Sequence, residues 1–331
     1  LEEMTKNTFA AKTISGINPL KGTSDYAQIS ADWKKIVTYS FVTGKETGVL
    51  FDFTQYHDFN QKSIEGYEIS DDGQFILIQT DTKRIYRRSF TADFLLYNVK
   101  TKSLKKLSEG GPQQIPTFSP NGKYIAFVRS NNIFITDGTT EKQITTDGKF
   151  NEIINGVPDW VNEEEFGTSS SLVFNADGTM ICWVKYDEKD VKMFSLQMYM
   201  GQKPALNENE TYPSLFSYKY PKAGEDNAKV SVWSYDIKSR QTRKLDVPLD
   251  ADGYIPRIKT TKNADMILVY TMNRHQDVLN VYTVNPRSTV AQLLIREKSD
   301  KYVKEEAIEN ITVYNNSILL PSDRDGYMHL Y

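Results

Sequence analysis

The residues with the clearest chemical use in this sequence lie in one acidic segment, Asp159–Phe166. Three glutamates follow one another at positions 163–165, beside Trp160 and Phe166. Adjacent carboxylates repel each other, so a fold that packs them against aromatic rings usually supplies a positive group. The segment therefore predicts a site that receives a cation.

A structural role competes for part of this segment. Asp159 can cap a short helix by accepting backbone N–H groups, and Glu163 would lie in or near the first turn, where the helix dipole favours negative charge. Glu164 and Glu165 are harder to explain in this way. Neighbours on a helix point roughly 100° apart, so one of the two should face inward. We assign Glu163 to the helix start and keep Glu164 and Glu165 as candidate binding residues.

Repeated strand pairs surround this segment and predict the elements that must position it. Each copy is a strand, a tight turn that contains Gly, and a second strand, because Gly permits the positive φ of the turn and β-branched or aromatic residues favour pairing. Clear copies occupy residues 69–78, 118–128 and 173–183, and weaker copies begin near residues 29 and 262. A second, charged hairpin completes the unit, as at residues 94–107 and 230–245.

Two hairpins make a four-stranded sheet, and a period of about 50 residues is that of a β-propeller blade. A β-sandwich competes, but its turns recur roughly every 8–12 residues without this longer period. The sequence thus predicts an all-β fold, a β-propeller of four-stranded blades, with a short acidic helix on an inserted segment. Insertions between strands emerge at the faces of a propeller, where binding groups usually lie.

Composition argues against several other classes of function. The formal net charge of −3 gives no basic surface for nucleic acid. No apolar run approaches the roughly 18 residues of a membrane span. Cys182, the only cysteine, lies in an apolar strand where we expect a buried, inert thiol. The three histidines are far apart and no Gly-x-Ser-x-Gly motif occurs, so we assign no catalytic residue, metal or cofactor to this chain.

Residues 159–165, Asp-Trp-Val-Asn-Glu-Glu-Glu, resemble the Asp-Trp-Val-Tyr-Glu-Glu-Glu motif of the propeller domain of the dipeptidyl peptidase IV family. Further stretches resemble that family, particularly its Bacteroidetes members, at residues 115–122, 218–225, 252–258 and 324–331. The resemblance runs over essentially the whole chain.

The resemblance implies a role for three residues. In the family, the second and third glutamates of the motif hold the α-ammonium of a peptide substrate, which maps to Glu164 and Glu165. A family arginine that contacts the substrate carbonyl and those glutamates maps to Arg87, and Arg88 stands where the family usually has His. Asn162 replaces the motif's Tyr, which bears on packing under the helix. Without the resemblance, either arginine would be read as a solvated charge at a strand end.

The resemblance also implies the domain organisation. The family has an eight-bladed propeller and an α/β-hydrolase domain that carries Ser, Asp and His. We expect residues 1–331 to form the propeller domain, incomplete by one or more C-terminal blades and without the hydrolase domain. This chain alone should then be catalytically inert.

The implied function is a serine dipeptidyl peptidase that removes X-Pro or X-Ala dipeptides from peptides with a free N-terminus. The implied partners are those peptides, the hydrolase domain of the same protein and, since the family often forms dimers, a second copy. We expect a periplasmic or secreted location, with any leader removed before Leu1. Two alternatives stay open: a non-catalytic propeller used for binding or scaffolding, and a tripeptidyl peptidase of the same superfamily.

Overall fold

The computed structural model describes residues 2–6, 8–11, 16–59, 62–199, 213–304, 306–314 and 317–331. Over these residues the fold is all-β, with antiparallel sheets and only short helices, as the repeats predict. The chain forms two compact units, one of Leu1–Thr82 with Ala92–Glu109 and the other of Lys83–Thr91 with Gly110–Tyr331.

The first unit contains two four-stranded sheets, and the strands of the first sheet pair in chain order. Helix α1 (Glu2–Thr5) precedes them. The first sheet consists of β1 (Asn18–Pro19), β2 (Asp25–Ile29), β3 (Lys35–Ser40) and β4 (Glu46–Asp52). Two 3₁₀ turns follow at Phe53–Gln55 and His57–Phe59. The second sheet consists of β5 (Gly66–Ile69), β6 (Phe75–Arg84), β7 (Phe90–Asn98) and β8 (Leu104–Lys106). The hydrophobic core of this first unit includes Ile36, Phe51, Ile76, Leu95 and Tyr97.

The second unit contains three larger sheets. One consists of β9 (Gln114–Phe118), β10 (Ile125–Arg129), β11 (Asn132–Thr136) and β12 (Glu141–Gln143). The next sheet consists of β13 (Ile153–Asn155), β14 (Leu172–Phe174), β15 (Met180–Asp187), β18 (Lys229–Asp236) and β19 (Gln241–Lys244). Helix α2 (Trp160–Phe166) lies between β13 and β14 in the chain. A separate hairpin of β16 (Met193–Met198) and β17 (Ser214–Lys219) follows β15. The third consists of β20 (Tyr254–Thr260), β21 (Ile267–Met272), β22 (Val278–Val284) and β23 (Ala291–Lys298).

The chain then continues with short elements. These are α3 (Glu306–Glu309), β24 (Thr312–Val313), β25 (Ile318–Leu319), β26 (Pro321–Ser322) and β27 (His329–Leu330), the strands pairing two by two. Among the described residues, no helix has the length and apolar character that a membrane crossing requires.

The predicted turns share one hydrogen-bonding arrangement. Gly73, Gly122 and Gly178 have φ of 69°, 69° and 67°. Each donates its N–H to the carbonyl three residues earlier, at 2.8, 2.9 and 3.0 Å. In the first copy the Asp72 carboxylate also accepts the Gln74 N–H at 3.0 Å, so the turn is specified by local residues alone. The strand-turn-strand repeat and the four-stranded unit are therefore confirmed.

The acidic segment interrupts the first strand of its sheet. β13 and β14 are two pieces of one strand: Asn155 lies opposite Lys185 on β15, and Leu172 lies opposite Trp183. Residues 156–171 leave the sheet between these two positions. The Ser171 N–H donates to the Gly156 carbonyl at 2.9 Å and closes the base of this excursion.

The excursion needs glycine at its base. Gly156 has φ of 82°, and a Cβ there would meet a methyl carbon of the Val128 side chain at 3.2 Å. Both conditions exclude an ordinary side chain without strain.

Two hydrophobic clusters stabilise the second unit. Cys182 lies fully buried in the larger one, where burial raises the pKa of its thiol to about 12, as expected for an inert cysteine. The smaller cluster joins Phe166 of α2 to Ala307 and Ile308 of α3 and to residues of β20–β22. The acidic helix is thus attached to the packed interior by its last residue.

Candidate functional site

The acidic helix, α2, begins where the sequence predicts. Asp159 is its N-cap, and its carboxylate accepts the Asn162 backbone N–H at 3.0 Å. The helix ends at Gly167, whose φ of 63° is the left-handed conformation common after a helix C-terminus. Asn162, the departure from the family motif, is buried, and its side-chain NH₂ donates to the Asp159 carboxylate at 2.7 Å. The replacement for Tyr therefore contributes to the cap.

Glu163 is the glutamate that faces inward, with 1% of its surface exposed. Its Oε1 accepts two consecutive backbone N–H groups, from Arg88 at 2.7 Å and from Ser89 at 2.8 Å. These residues belong to the arginine loop, residues 85–89, which joins β6 to β7 and is closed by the Ile85 N–H donating to the Ser89 carbonyl at 3.0 Å. Glu163 thus connects the acidic helix to this loop as well as occupying the first turn.

Arg87 and Glu164 form an ion pair at the surface. Arg87 Nε donates to both Glu164 carboxylate oxygens at 2.9 Å, and its Nη2 lies 2.7 Å from Oε1. This contact lowers the pKa of Glu164 and raises the pKa of Arg87. The Arg87 side chain is 69% exposed and the Glu164 side chain 27%, so a ligand can reach the pair.

Glu165 lies next to this pair on the exposed side of the helix. Within the described part of the chain, the Glu165 carboxylate makes no hydrogen bond and no ion pair. The three glutamates therefore occupy a buried, a half-buried and an exposed position. The expectation that Glu164 or Glu165 faces inward holds in part for Glu164 only, because the inward direction is taken by Glu163.

Arg257 holds the other end of the acidic helix. Its guanidinium is largely buried and donates to the Phe166 carbonyl, and through Nη1 to the Pro256 carbonyl at 2.7 Å. Two residues along β20, Lys259 donates to the carbonyls of Glu309 and Ile311 at the end of α3, at 3.1 and 2.9 Å. Residues two apart on a strand face the same side, so β20 supplies a cation to the C-terminal end of each helix.

Two buried carboxylates, Asp159 at the helix start and Glu188, lie close enough to interact. Glu188, directly after β15, is 6% exposed, and burial together with the nearby Asp159 charge raises its pKa to about 7, partly offset by Lys219. Burial also raises the pKa of Asp159 itself. Tyr86, on the arginine loop, has its pKa raised by burial and by the Glu188 carboxylate.

A row of aromatic rings runs from the helix to the β16–β17 hairpin. Trp160 packs on Tyr220 with ring centroids 4.3 Å apart, and Tyr220 contacts Phe194 at 5.3 Å and Tyr218 at 5.9 Å. Tyr218 in turn contacts Tyr86 at 6.0 Å. The helix and the arginine loop thus share one aromatic support.

The structure brings together all three residues that the sequence nominates. Glu164 and Arg87 are in contact, and Glu165 is adjacent on the same helix. Sequence reasoning missed the contacts of Glu163, Glu188 and Arg257. Arg257 carried a signal, since a cation directly between the apolar residues Pro256 and Ile258 needs a partner, whereas Glu188 carried none. The described residues contain no group of three or more His, Cys, Asp or Glu side chains arranged to bind a metal.

Residues 70–331 match the sequence profile of the dipeptidyl peptidase IV (DPP IV) N-terminal region. The chain belongs to the dipeptidyl peptidase IV family. Among curated members, it is 29% identical over 273 residues to the "Probable dipeptidyl-aminopeptidase B" of Talaromyces stipitatus, covering 77% of the chain and 30% of that protein. It is 33% identical over 239 residues to the protein of the same name from Emericella nidulans, covering 68% of the chain and 26% of that protein.

Solved structures agree with this membership. The dipeptidyl peptidase 4 of Porphyromonas gingivalis is 39% identical, with a TM-score of 0.93 over 100% of this chain and 47% of that one. A structure from Bacteroides ovatus, 19% identical with a TM-score of 0.68 over 95% of this chain and 42% of its own, shares the fold. The chain thus spans less than half the length of the curated relatives and of the Porphyromonas gingivalis structure, and its all-β architecture is consistent with the family's N-terminal propeller.

Proposed function

We propose that this chain is the substrate-anchoring propeller of a serine dipeptidyl peptidase. The observation that carries the proposal is the accessible Arg87–Glu164 pair, with contacts of 2.7–2.9 Å, beside the exposed Glu165. A free α-ammonium carries one positive charge and three N–H donors, which suits two neighbouring carboxylates. Arg87 partly neutralises Glu164 in the empty site and offsets the repulsion between the two glutamates.

The site would act by positioning rather than by breaking bonds. An extended peptide advances about 3.3–3.6 Å per residue. A nucleophile roughly 7 Å from the anchored nitrogen would therefore reach only the bond after the second residue. Fixing the substrate in this way supplies orientation to a reaction performed elsewhere. The names of the relatives described above, dipeptidyl-aminopeptidase B and dipeptidyl peptidase 4, favour release of two residues over three.

The nucleophile would belong to a C-terminal α/β-hydrolase domain of the same protein, for which the longer chain of the Porphyromonas gingivalis structure is the support. We propose that residues 1–331 form most of an eight-bladed propeller, that X-Pro and X-Ala peptides are the substrates, and that the protein is periplasmic or secreted. The match of residues 70–331 to the family's N-terminal region supports the first point, and the other two extend what the sequence resemblance implies.

A second copy of the protein is a further proposed partner. The β16–β17 hairpin exposes apolar side chains, among them Leu215 at 67% and Met193 at 48%. Exposed apolar patches commonly mark interaction surfaces. Light scattering on the full-length protein tests this: replacing Leu215 and Phe216 by Ser should turn a dimer into a monomer, and a monomeric wild type would contradict it.

Dipeptide release by the full-length protein tests the proposed function. We expect cleavage of a Gly-Pro substrate with a free N-terminus, and a rise in KM of at least about tenfold in Glu164→Gln and in Glu165→Gln, since each removes a charge-assisted contact. Glu152→Gln, in the turn directly before β13 and outside the helix, is the matched control and should retain the wild-type KM.

Mass spectrometry of the products separates the alternatives. Release of tripeptides would assign the tripeptidyl activity, and no release of any peptide would favour a binding or scaffolding propeller. Full dipeptide release by both glutamate variants would contradict the anchor.

A further inference from the structure

The arginine loop contacts the acidic helix at two places: its backbone binds Glu163, and the Arg87 side chain binds Glu164. Glu163 Oε1 accepts the N–H groups of Arg88 and Ser89 at 2.7 and 2.8 Å, and these are the two residues that directly follow Arg87. The carboxylate is 1% exposed, so water does not compete for either N–H group. One carboxylate oxygen that accepts two neighbouring backbone N–H groups forms a directional connection.

The contacts of Glu163 with the arginine loop fix the backbone position from which the Arg87 side chain extends. The loop has five residues and no regular secondary structure, and the side chain it presents is 69% exposed. A long exposed side chain has many rotamers, so its position depends on a fixed backbone. Two backbone contacts immediately after Arg87 fix that backbone to the same helix that carries Glu164.

We propose that Glu163 is a positioning residue for Arg87, and through it for the proposed ammonium site. The glutamate touches neither substrate nor reacting atoms; it sets the distance between loop and helix. The motif then contains two functions in three consecutive residues, with Glu163 building the site that Glu164 and Glu165 form. This inference rests on the proposed function for its kinetic consequence but not for its structural one.

The kinetic test is a double-mutant cycle in the full-length protein. Glu163→Met keeps the side-chain volume and removes the acceptor, whereas Glu163→Gln keeps an acceptor oxygen. We expect Glu163→Met to raise KM for a Gly-Pro substrate about as much as Arg87→Met, with kcat less affected, and Glu163→Gln to restore most of the loss. Adding Glu163→Met to Arg87→Met should raise KM no more than about twofold further. The reason is that both changes remove the same contribution, that of a correctly placed Arg87.

A structural test does not depend on activity. Amide hydrogen exchange over residues 85–90 should become at least about tenfold faster in Glu163→Met and stay near wild type in Glu163→Gln. If Glu163→Met does not fold, Glu163→Asp serves instead, since its shorter side chain withdraws the oxygen by one methylene.

The outcomes separate the two proposals. Unchanged exchange in the loop overturns the positioning role, and so does additivity of the two variants in KM. If the wild-type protein releases no dipeptide, the proposed function fails, and the exchange experiment alone decides the role of Glu163.

Discussion

Three chemically identical side chains differ in environment because they lie on one helix turn. Glu163 points to the arginine loop, Glu164 to Arg87 and Glu165 to solvent, as the rotation of about 100° per residue requires. Substitutions at Glu163, Glu164 and Glu165 therefore test, in that order, packing, ion pairing and the proposed ligand contact. Environment also determines the behaviour of Glu188, because its burial makes its negative charge unfavourable.

Glu188 gives a prediction for stability against pH. Its pKa in the folded protein is about 7, against an ordinary value of 4.5. The folded state therefore keeps a proton that the unfolded state loses as the pH rises from about 4.5 to 7, so wild-type stability falls across this window. Since one pKa unit corresponds to about 1.4 kcal/mol, the loss should be on the order of 3 kcal/mol.

Urea unfolding of Glu188→Gln at pH 4.5 and pH 8 measures this effect. The variant lacks the titrating group, so we expect it to gain stability over the wild type between these values. Glu152→Gln, a half-exposed neighbour, is the control. Equal pH dependence in wild type and Glu188→Gln would show that Glu188 is ionised at neutral pH without cost.

At the scale of elements, a seven-residue helix is too short to be stable alone and depends on its attachments. The acidic helix has a cap at Asp159, a connection to the arginine loop at Glu163 and a cation at its C-terminal end in Arg257. Each attachment comes from a different part of the chain. Loss of one should loosen the helix without unfolding the sheets.

Arg257→Met is the variant that tests this dependence. Removing the guanidinium leaves the Phe166 and Pro256 carbonyls without their donor, a cost of roughly 1–3 kcal/mol that the easier burial of Met partly offsets. Amide exchange over residues 160–166 should become faster. Lys259→Met, two residues away on β20, should instead affect residues 306–311 and leave the acidic helix unchanged. The same exchange pattern in both variants would contradict separate roles.

The limits of sequence-based prediction follow from the range of each contact. Turns such as Ser70–Gly73 and the Asp159 cap involve residues two to five positions apart, so residue types alone predict them. The Glu163 contacts join residues 75 and 74 positions apart, and no local pattern encodes such a pairing. Arg87 is predicted only through the family resemblance, because its pairing with Glu164 spans 77 positions.

For the whole molecule, the proposed anchoring of a substrate amine by carboxylates should make peptide binding depend on pH. An α-amino group has a pKa of about 7.7–8.0 and binds as the ammonium. We therefore expect KM of the full-length enzyme to rise as the pH increases through this range, roughly tenfold by one pH unit above it. Glu164 stays ionised throughout, since Arg87 lowers its pKa.

Two substrates check the assignment of this pH effect. An N-acetylated peptide should not be cleaved, and a substrate with an N-terminal hydroxyl in place of the amine should bind weakly with no rise in KM over the same range. A pH-dependent KM for the hydroxyl substrate would assign the titration to the protein instead of the substrate.

The excursion of residues 156–171 has a consequence for how such a protein can change. Its two ends meet through the Ser171–Gly156 hydrogen bond of 2.9 Å and return the chain to the same partner strand, β15. The register of β13 and β14 on β15 therefore does not depend on the residues inside the excursion. Doubling the length of the excursion would cost only about 0.6 kcal/mol of loop-closure free energy. The length and content of this excursion can accordingly change while the sheet that carries it keeps its pairing.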